Sequence, residues 1–323
     1  EEAERYLGSA KIQDYCPNGL QVEGRPQVSR IVSGVTASQA LLDAAVEAEA
    51  DLVLVHHGYF WKGENPCVTG IRQRRLKTLL NNDISLLAFH LPLDVHPDVG
   101  NNVQLARQLD ITVEGPLDPE NPKVVGMVGS LAEPMTARDF ARRVREVLGR
   151  EPLLVEGEQM IRRVGWCTGG GQGYIDTAIA AGVDLYLTGE ASEQTYHSAR
   201  ENGVSFIAAG HHATERYGVQ ALGGYLAPCF AVETQTSVST RMYVSGVSVI
   251  VPSKGMCIGV TPNGHAGSTR PSMRFATSSP MTMLAKMSVP VGKCGPGCST
   301  LPAGKMTSGF FLNCAAISGC VRS

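Results

Sequence analysis

Asp51-Leu52-Val53-Leu54-Val55-His56-His57-Gly58 decides the fold class. The run Leu-Val-Leu-Val is too short for a helix and shows no apolar/polar alternation, so it reads as a strand buried on both faces. Such strands belong to parallel sheets sandwiched by helices. Immediately upstream, residues 28–35 read as another strand, followed by capping signals at Thr36-Ala37-Ser38-Gln39 and a helix to about Glu49. Downstream, residues 70–82 read as a helix with a basic outer face and residues 84–89 as a third apolar strand. Strands alternating with helices at this spacing predict βαβ units in a mainly parallel sheet.

Gly115-Pro116-Leu117-Asp118-Pro119-Glu120-Asn121-Pro122 interrupts the pattern and marks a boundary. Beyond it the alternation restarts. Strands are expected over 124–131, 164–168, 185–188 and 205–209, and helices over 136–148, 174–181, 192–202 and 213–226. In the helix at 136–148 the residues Ala137, Phe140, Ala141, Val144 and Leu148 fall on one stripe and face the core. The expected architecture is α/β with two βαβ-type lobes, residues 1–115 and 123–233, their mainly parallel sheets covered by helices.

With 323 residues, 43% of them hydrophobic, the chain is long enough to bury a full core. No stretch reaches the roughly 20 apolar residues of a membrane span, and Glu1-Glu2-Ala3-Glu4-Arg5 has no basic and apolar leader pattern, so a cytoplasmic location is expected. The net charge of −2 conceals a division. All 30 acidic residues lie at or before Glu233, whereas eight of the 28 basic residues follow it. Residues 234–323 are therefore acid-free, rich in Ser, Thr, Gly, Pro, Met and Cys, and poorly equipped to offset their ordering entropy. That composition predicts an unstructured tail with at most a hairpin around 243–251. The spacing of Cys294, Cys298, Cys314 and Cys320 is weak support for a zinc knuckle. Cys16, Cys67 and Cys167 in the body read as scattered reduced thiols.

Three groups of ligand-type residues each follow a short apolar strand: His56-His57-Gly58, His90-Leu91-Pro92-Leu93-Asp94 and His211-His212-Ala213-Thr214-Glu215. Open α/β sheets gather ligands at the carboxyl ends of their strands. Adjacent strand residues point in different directions, so His56 and His57 can face separate ions, and residues i and i+4 of a helix share a face, so His211 and Glu215 can reach one site. Imidazoles with carboxylates suit zinc or the divalent ions of Fe, Mn, Co and Ni, and Asp94 and Glu215 are side chains able to bridge two ions. His56, His57, Asp94, His211 and Glu215 are thus the expected metal ligands. His96, His197, His212 and His265 are assigned to packing, capping or solvent.

Two weaker features point to substrate. Gly169-Gly170-Gly171-Gln172-Gly173 lies between a strand and a helix, where the amides of Gly170 and Gly171 would suit a phosphate, though a plain tight turn fits equally well. Trp61, with Tyr59 and Phe60, could stack on a base or belong to the core. The basic run Arg72, Arg74, Arg75 and Lys77 is better read as a solvated helix face than as a nucleic-acid surface, because the body is acidic.

Taken with Asp14-Tyr15-Cys16-Pro17-Asn18-Gly19-Leu20-Gln21-Val22, His56-His57-Gly58-Tyr59-Phe60-Trp61-Lys62-Gly63 and Thr188-Gly189-Glu190, these motifs resemble, in order and spacing, the GTP cyclohydrolase 1 type 2 homologue family, from the N-terminus to about Glu233. The resemblance implies two ions, one on His56, Asp94 and Glu215 and the other on His57, His211 and Glu215, with His90 a nearby shell residue or occasional ligand; by its type His90 is also the one isolated candidate base. It further implies a toroidal homohexamer, and the family name implies opening of the guanine ring of GTP by activated water. A dinuclear hydrolase for a nucleotide-like substrate is the leading expectation. A metal-dependent phosphoesterase and a non-catalytic metal-binding ring are the alternatives. The family's usual acidic and apolar C-terminal strand is missing, and the tail looks like translation in a shifted frame beyond about Pro228. If that strand normally completes the first sheet, an unpaired edge is expected.

Overall fold

A computed structural model describes residues 1–229 and the backbone of Ser248–Ile250; the predicted tail and the cysteines from Cys257 onward otherwise lie outside the described residues. In chain order the helices are α1 (Glu2–Leu7), α2 (Gln39–Glu47), α3 (Gly70–Asn81), α4 (Leu91–Val95), α5 (Asn101–Gln108), α6 (Ala137–Leu148), α7 (Ile175–Ala180), α8 (Glu193–Glu201), α9 (His211–Thr214) and α10 (Arg216–Cys229). The strands are β1 (Gly19–Val22), β2 (Ile31–Thr36), β3 (Leu52–His57), β4 (Ser85–Ala88), β5 (Ile111–Pro116), β6 (Met127–Met135), β7 (Leu153–Val155), β8 (Ile161–Cys167), β9 (Leu185–Thr188), β10 (Ser205–Ala208) and β11 (Ser248–Ile250).

Two sheets result, ordered β1-β4-β3-β2-β11 and β5-β6-β8-β9-β10-β7. The parallel pairing expected from apolar strands and crossover helices occupies β2-β3-β4 and β8-β9-β10. The flanking pairs, β1-β4, β2-β11, β5-β6, β6-β8 and β10-β7, are antiparallel, so both sheets are mixed. Leu52-Val53-Leu54-Val55 lies at the centre of the first sheet, with Val53, Leu54 and Val55 fully buried. Helices cover both faces. One side of the first sheet packs Leu41, Leu42 and Ala45 of α2 and Leu79 of α3. The other packs Ala3 and Leu7 of α1 and Val219, Leu222 and Leu226 of α10. In the second sheet α6 buries the predicted stripe, Ala137, Phe140, Ala141, Val144 and Leu148. Its ends are set locally: the Thr136 side chain accepts the Asp139 amide, and Gly149 closes the helix with a left-handed φ of 71°.

Three features depart from the sequence reading. The expected boundary put residues up to 115 in the first lobe, yet β5 hydrogen-bonds to β6 in the second sheet, because the Pro-rich segment follows it as a loop rather than preceding it as a linker. The final helix was expected with the second lobe. Instead α10 returns to the first sheet, since Val219, Leu222 and Leu226 find their apolar complement there. The β2 edge, expected bare, carries β11 in register from Ser248 opposite Ser33 to Ile250 opposite Ile31.

Candidate metal centre

The carboxyl ends of β3, β4, β8, β9 and β10 converge, and His56, His57, Asp94, His211 and Glu215 come together there. His56 and His57 end β3, where alternation sends their rings to different sides of the cluster. Asp94 sits beyond β4 in the short α4, whose first turn holds Pro92, where a missing N–H costs no helical hydrogen bond. His211 opens α9, and the chain breaks helical geometry at Glu215 (φ −107°, ψ 6°) before α10 begins. One continuous helix was expected here. The break still leaves Glu215 Oε1 3.3 Å from His211 Nε2.

Glu215 is central. Its Oε1 lies 3.5 Å from His56 Nε2, and its Oε2 lies 3.5 Å from His57 Nε2. Asp94 Oδ1 lies 3.5 Å from the same His56 nitrogen. His56 is wholly inaccessible, Glu215 is 3% exposed and Asp94 is 6% exposed. Two ligand sets follow, His56 with Asp94 and Glu215, and His57 with His211 and Glu215, the ligand atoms within each set lying within 4.8 Å of one another. A ring nitrogen of His90 makes a third such set with His56 and His57.

Each imidazole is aimed from behind. His56 Nδ1 donates to the Phe89 carbonyl at 2.9 Å, which leaves Nε2 facing Asp94 and Glu215. His211 Nδ1 pairs with Glu190 Oε1 at 2.7 Å, and His57 Nδ1 with the Thr36 hydroxyl at 3.1 Å. Thr36, read as part of a capping signal, thus serves the cluster, while Ser38 caps α2. Fixing the outer nitrogen to orient the inner one is how proteins prepare histidine ligands. Asn101 donates to Asp94 Oδ1 at 2.9 Å and accepts the Gly218 amide at 3.0 Å, which ties α5 and α10 to the site. Gly218 makes this possible, because a Cβ there would lie 2.2 Å from Asn101 Oδ1. Asn102 accepts the Thr168 amide at 3.0 Å. Glu190, Thr36, Asn101 and Asn102 were not singled out individually from sequence. Glu190 carried a signal as part of the Thr188-Gly189-Glu190 motif, and Asn101 and Asn102 only by following Asp94 closely in the chain.

The electrostatics describe a cluster short of positive charge. Burial, reinforced by the Glu215 charge against the opposing pull of His56, pushes the Asp94 carboxyl above its ordinary range. Burial acts the same way on Glu215, but the imidazoles of His56, His211 and His57 outweigh it and hold that carboxyl well below the ordinary range. Burial opposes a proton on His56, yet Asp94 and Glu215 raise it to about 9. The Glu215 hydrogen bond raises His211 to about 9, and burial with the neighbouring imidazoles lowers His57 to about 3. Glu215 Oε2 is buried and has no hydrogen-bond partner. Buried polar atoms are almost always satisfied, so this orphan, inside an imidazole and carboxylate donor set, fits a divalent cation.

The predicted substrate residues fall close by. Trp61 sets its indole edge-on to His90, ring centres 4.9 Å apart, and 6.0 Å from His57. Tyr59 is core, its hydroxyl donating to the Ala37 carbonyl. The glycine-rich loop is built differently from a phosphate cradle. The Gly169 amide donates to the Thr214 hydroxyl and the Gly171 amide to the Thr188 hydroxyl, each at 3.0 Å. Gly169 has φ +69°, and a Cβ there would stand 2.1 Å from Glu215 Oε1. The loop therefore gives Glu215 room, and of the two predicted amides Gly171 is engaged internally.

Comparison with known proteins gives the family. The profile of the family described as Duf34/NIF3 (NGG1p interacting factor 3) matches residues 2–243. A Pseudomonas aeruginosa protein named GTP cyclohydrolase 1 type 2 homolog is 80% identical over 233 residues, covering 72% of this chain and 92% of its own. One of the same name from Escherichia coli K12 is 57% identical over 222 residues, covering 68% and 88%. A solved structure described as protein ybgI, of unknown function, is 54% identical with a TM-score of 0.68, covering 71% of this chain and 92% of its own. The Thermus thermophilus protein TTHA1606 is 35% identical with a TM-score of 0.65, covering 72% and 92%. Among the described residues no helix is long and apolar enough to cross a membrane. The chain belongs to the DUF34/NIF3 family, beside relatives named GTP cyclohydrolase 1 type 2 homolog.

Proposed function

We propose that this protein is a metal-dependent hydrolase for a small nucleotide-like molecule, in which His56, Asp94 and Glu215 would hold one divalent ion and His57, His211 and Glu215 a second. The observation that carries this reading is the buried Glu215 carboxylate, with one oxygen unpartnered, among three oriented imidazoles. Zn, Fe, Mn, Co and Ni all suit such donors. Two such ions would lower the pKa of a shared water and stabilise charge in a hydrolytic transition state.

The protein's own residues do the rest. His90, beside His56 and His57, is the candidate proton acceptor. Trp61 offers an indole next to it for a planar ring. In the 169–171 loop the Gly170 amide is the backbone donor left for a substrate oxygen, with Gly171 supporting the turn. The relatives' name makes GTP, with water attack on the guanine imidazole ring and release of formate, the first substrate to try. A phosphoester bond is the second. The family resemblance further supports a toroidal homohexamer, which light scattering on the eluting protein would measure.

The test is metal content per chain together with turnover. About two ions per chain, lost in His211→Ala, are expected. Nucleotides and phosphoesters assayed with each of the five metals should show turnover that Glu215→Ala abolishes. A fully loaded protein that turns over nothing in this panel would leave the non-catalytic metal-binding ring as the reading.

A further inference from the structure

Asp14 and Asn18 lie on the loop before β1, far in sequence from the ligands, yet both close on His90. Asp14 Oδ1 accepts His90 Nδ1 at 2.7 Å and the Tyr15 amide at 2.6 Å. Its Oδ2 accepts the Leu91 amide and Asn18 Nδ2, each at 2.9 Å. Asn18 Oδ1 in turn accepts the His90 amide at 2.8 Å. The pair therefore grips both the ring and the backbone of the 90–91 step. The Asp14 side chain is 2% exposed, and among the described residues its ion-pair partner is His90, with no Lys or Arg beside it. Burial alone would raise this carboxyl, but the hydrogen bonds from His90 and Asn18 hold it down to about 2, so it remains an anion. Cys16 is close enough for Asp14, Cys16 and His90 to form a ligand-like set. Burial and the Asp14 charge push its thiol up to about 12, and both Asp14 oxygens already take two N–H donors, so an ion there would have to displace that network.

We propose that Asp14, braced by Asn18, is a positioning residue that keeps the His90 proton on Nδ1 and turns its proton-free Nε2 to water at the metal cluster. This rests on the hydrolase reading above. A carboxylate behind an imidazole selects the tautomer, fixes the ring and stabilises the imidazolium that forms during the reaction. Trp61, edge-on at 4.9 Å, walls the ring on another side. In hydrolysis of a phosphodiester, water oxygen bonds to phosphorus as Nε2 takes its proton. The bond from phosphorus to the leaving alcohol oxygen then breaks. The leaving oxygen or solvent takes the proton back from His90, and Asp14 stays ionised throughout.

The test uses the full chain loaded with Mn, bis(p-nitrophenyl) phosphate as probe substrate, and Asp14→Asn beside Asn18→Ala. With Asp14→Asn, kcat is expected to fall about 10²- to 10⁴-fold, the range for a lost general base, with KM and metal content held. Asn18→Ala should give a smaller loss of the same kind. Independently of turnover, nitrogen-15 histidine NMR of the metal-free protein should show His90 as the Nδ1–H tautomer, and show that tautomer lost in Asp14→Asn. An Nε2–H tautomer in the unaltered protein overturns the proposal, as does an unchanged kcat in Asp14→Asn. A kcat loss that merely tracks lost metal or a lowered melting temperature also overturns it. If the unaltered protein hydrolyses neither this probe nor any nucleotide with any metal, the hydrolase reading fails instead.

Discussion

Two residues that buttress the cluster, Glu190 and Asn101, should behave differently when each is cut to alanine, because one is half-exposed and the other is fully buried. Glu190 holds His211 Nδ1 at 2.7 Å, with side-chain exposures of 45% and 39%. Outer partners of metal-bound histidine are worth about 10- to 100-fold in metal affinity. Water can reach His211 Nδ1 in place of the lost carboxylate, so Glu190→Ala is expected at the low end, about tenfold or ~1.4 kcal/mol. An exposed pair of this kind adds about 0–1 kcal/mol to folding, so the metal-free melting temperature should hardly move. Asn101 is inaccessible; it donates to Asp94 Oδ1, accepts the Gly218 amide and places the same side-chain nitrogen 3.5 Å from His56 Nε2. Asn101→Ala strands the Gly218 amide and leaves Asp94 Oδ1 only the Thr168 hydroxyl at 3.5 Å, at about 1–3 kcal/mol each. At about 2–4 °C per kcal/mol for a body of this size, the metal-free protein should melt several degrees to more than 10 °C lower. Affinity would be read by competition against a chromogenic zinc chelator, and stability by thermal melting of the metal-free protein. The reasoning is refuted if Glu190→Ala leaves zinc affinity unchanged, or if it lowers the metal-free melting temperature as much as Asn101→Ala does.

Gly169→Ala should reduce metal content sharply, because its Cβ would collide with Glu215 Oε1 and its φ of +69° costs a side chain about 1–2 kcal/mol; metal per chain by mass spectrometry checks it. Metal loading at pH 7 should release protons, since Asp94 and Glu215 raise His56 to about 9 against burial, Glu215 raises His211 to about 9, and both must be neutral to bind; calorimetry in buffers of differing ionisation enthalpy would show it, and affinity should fall as pH falls. Removing β11 by ending the chain at residue 233 uncovers the β2 edge at Ile31, Val32 and Ser33, so light scattering should report more self-association than in the full chain.

Apolar strands were the most legible part of the sequence. Residues 185–188 form a strand with the bounds expected, and the α6 stripe is buried as its 3.6-residue period requires. What stayed hidden depends on partners distant in the chain. The helix α5, which opens Asn101-Asn102, received no assignment from the sequence, and is helical with both side-chain amides spent on Asp94, Val125, Thr168 and Gly218. β7 is three residues long and exists by pairing with β10. The edge position of β5 and the return of α10 to the first sheet depend likewise on which apolar face is free, a property of the folded whole.

The five ligand-type residues were legible for a physical reason: each follows a strand that must end, and the chemistry at those ends repeats. The residues that aim them were not, because the Phe89 carbonyl, the Thr36 hydroxyl and the Glu190 carboxylate act by direction rather than by type. Local pattern carries residue type, whereas direction comes from the meeting of the two sheets. His56 and His57 end β3 and Asp94 lies beyond β4 of the first sheet, and His211 and Glu215 lie beyond β10 of the second. The two sets of donors converge on one buried carboxylate, so an ion bound there ties the two sheets together. Its binding free energy is then also folding free energy for their junction. Added zinc should therefore raise the melting temperature of the unaltered protein, and raise that of Glu215→Ala much less. Equal shifts in the two would mean that the stabilising ion binds elsewhere.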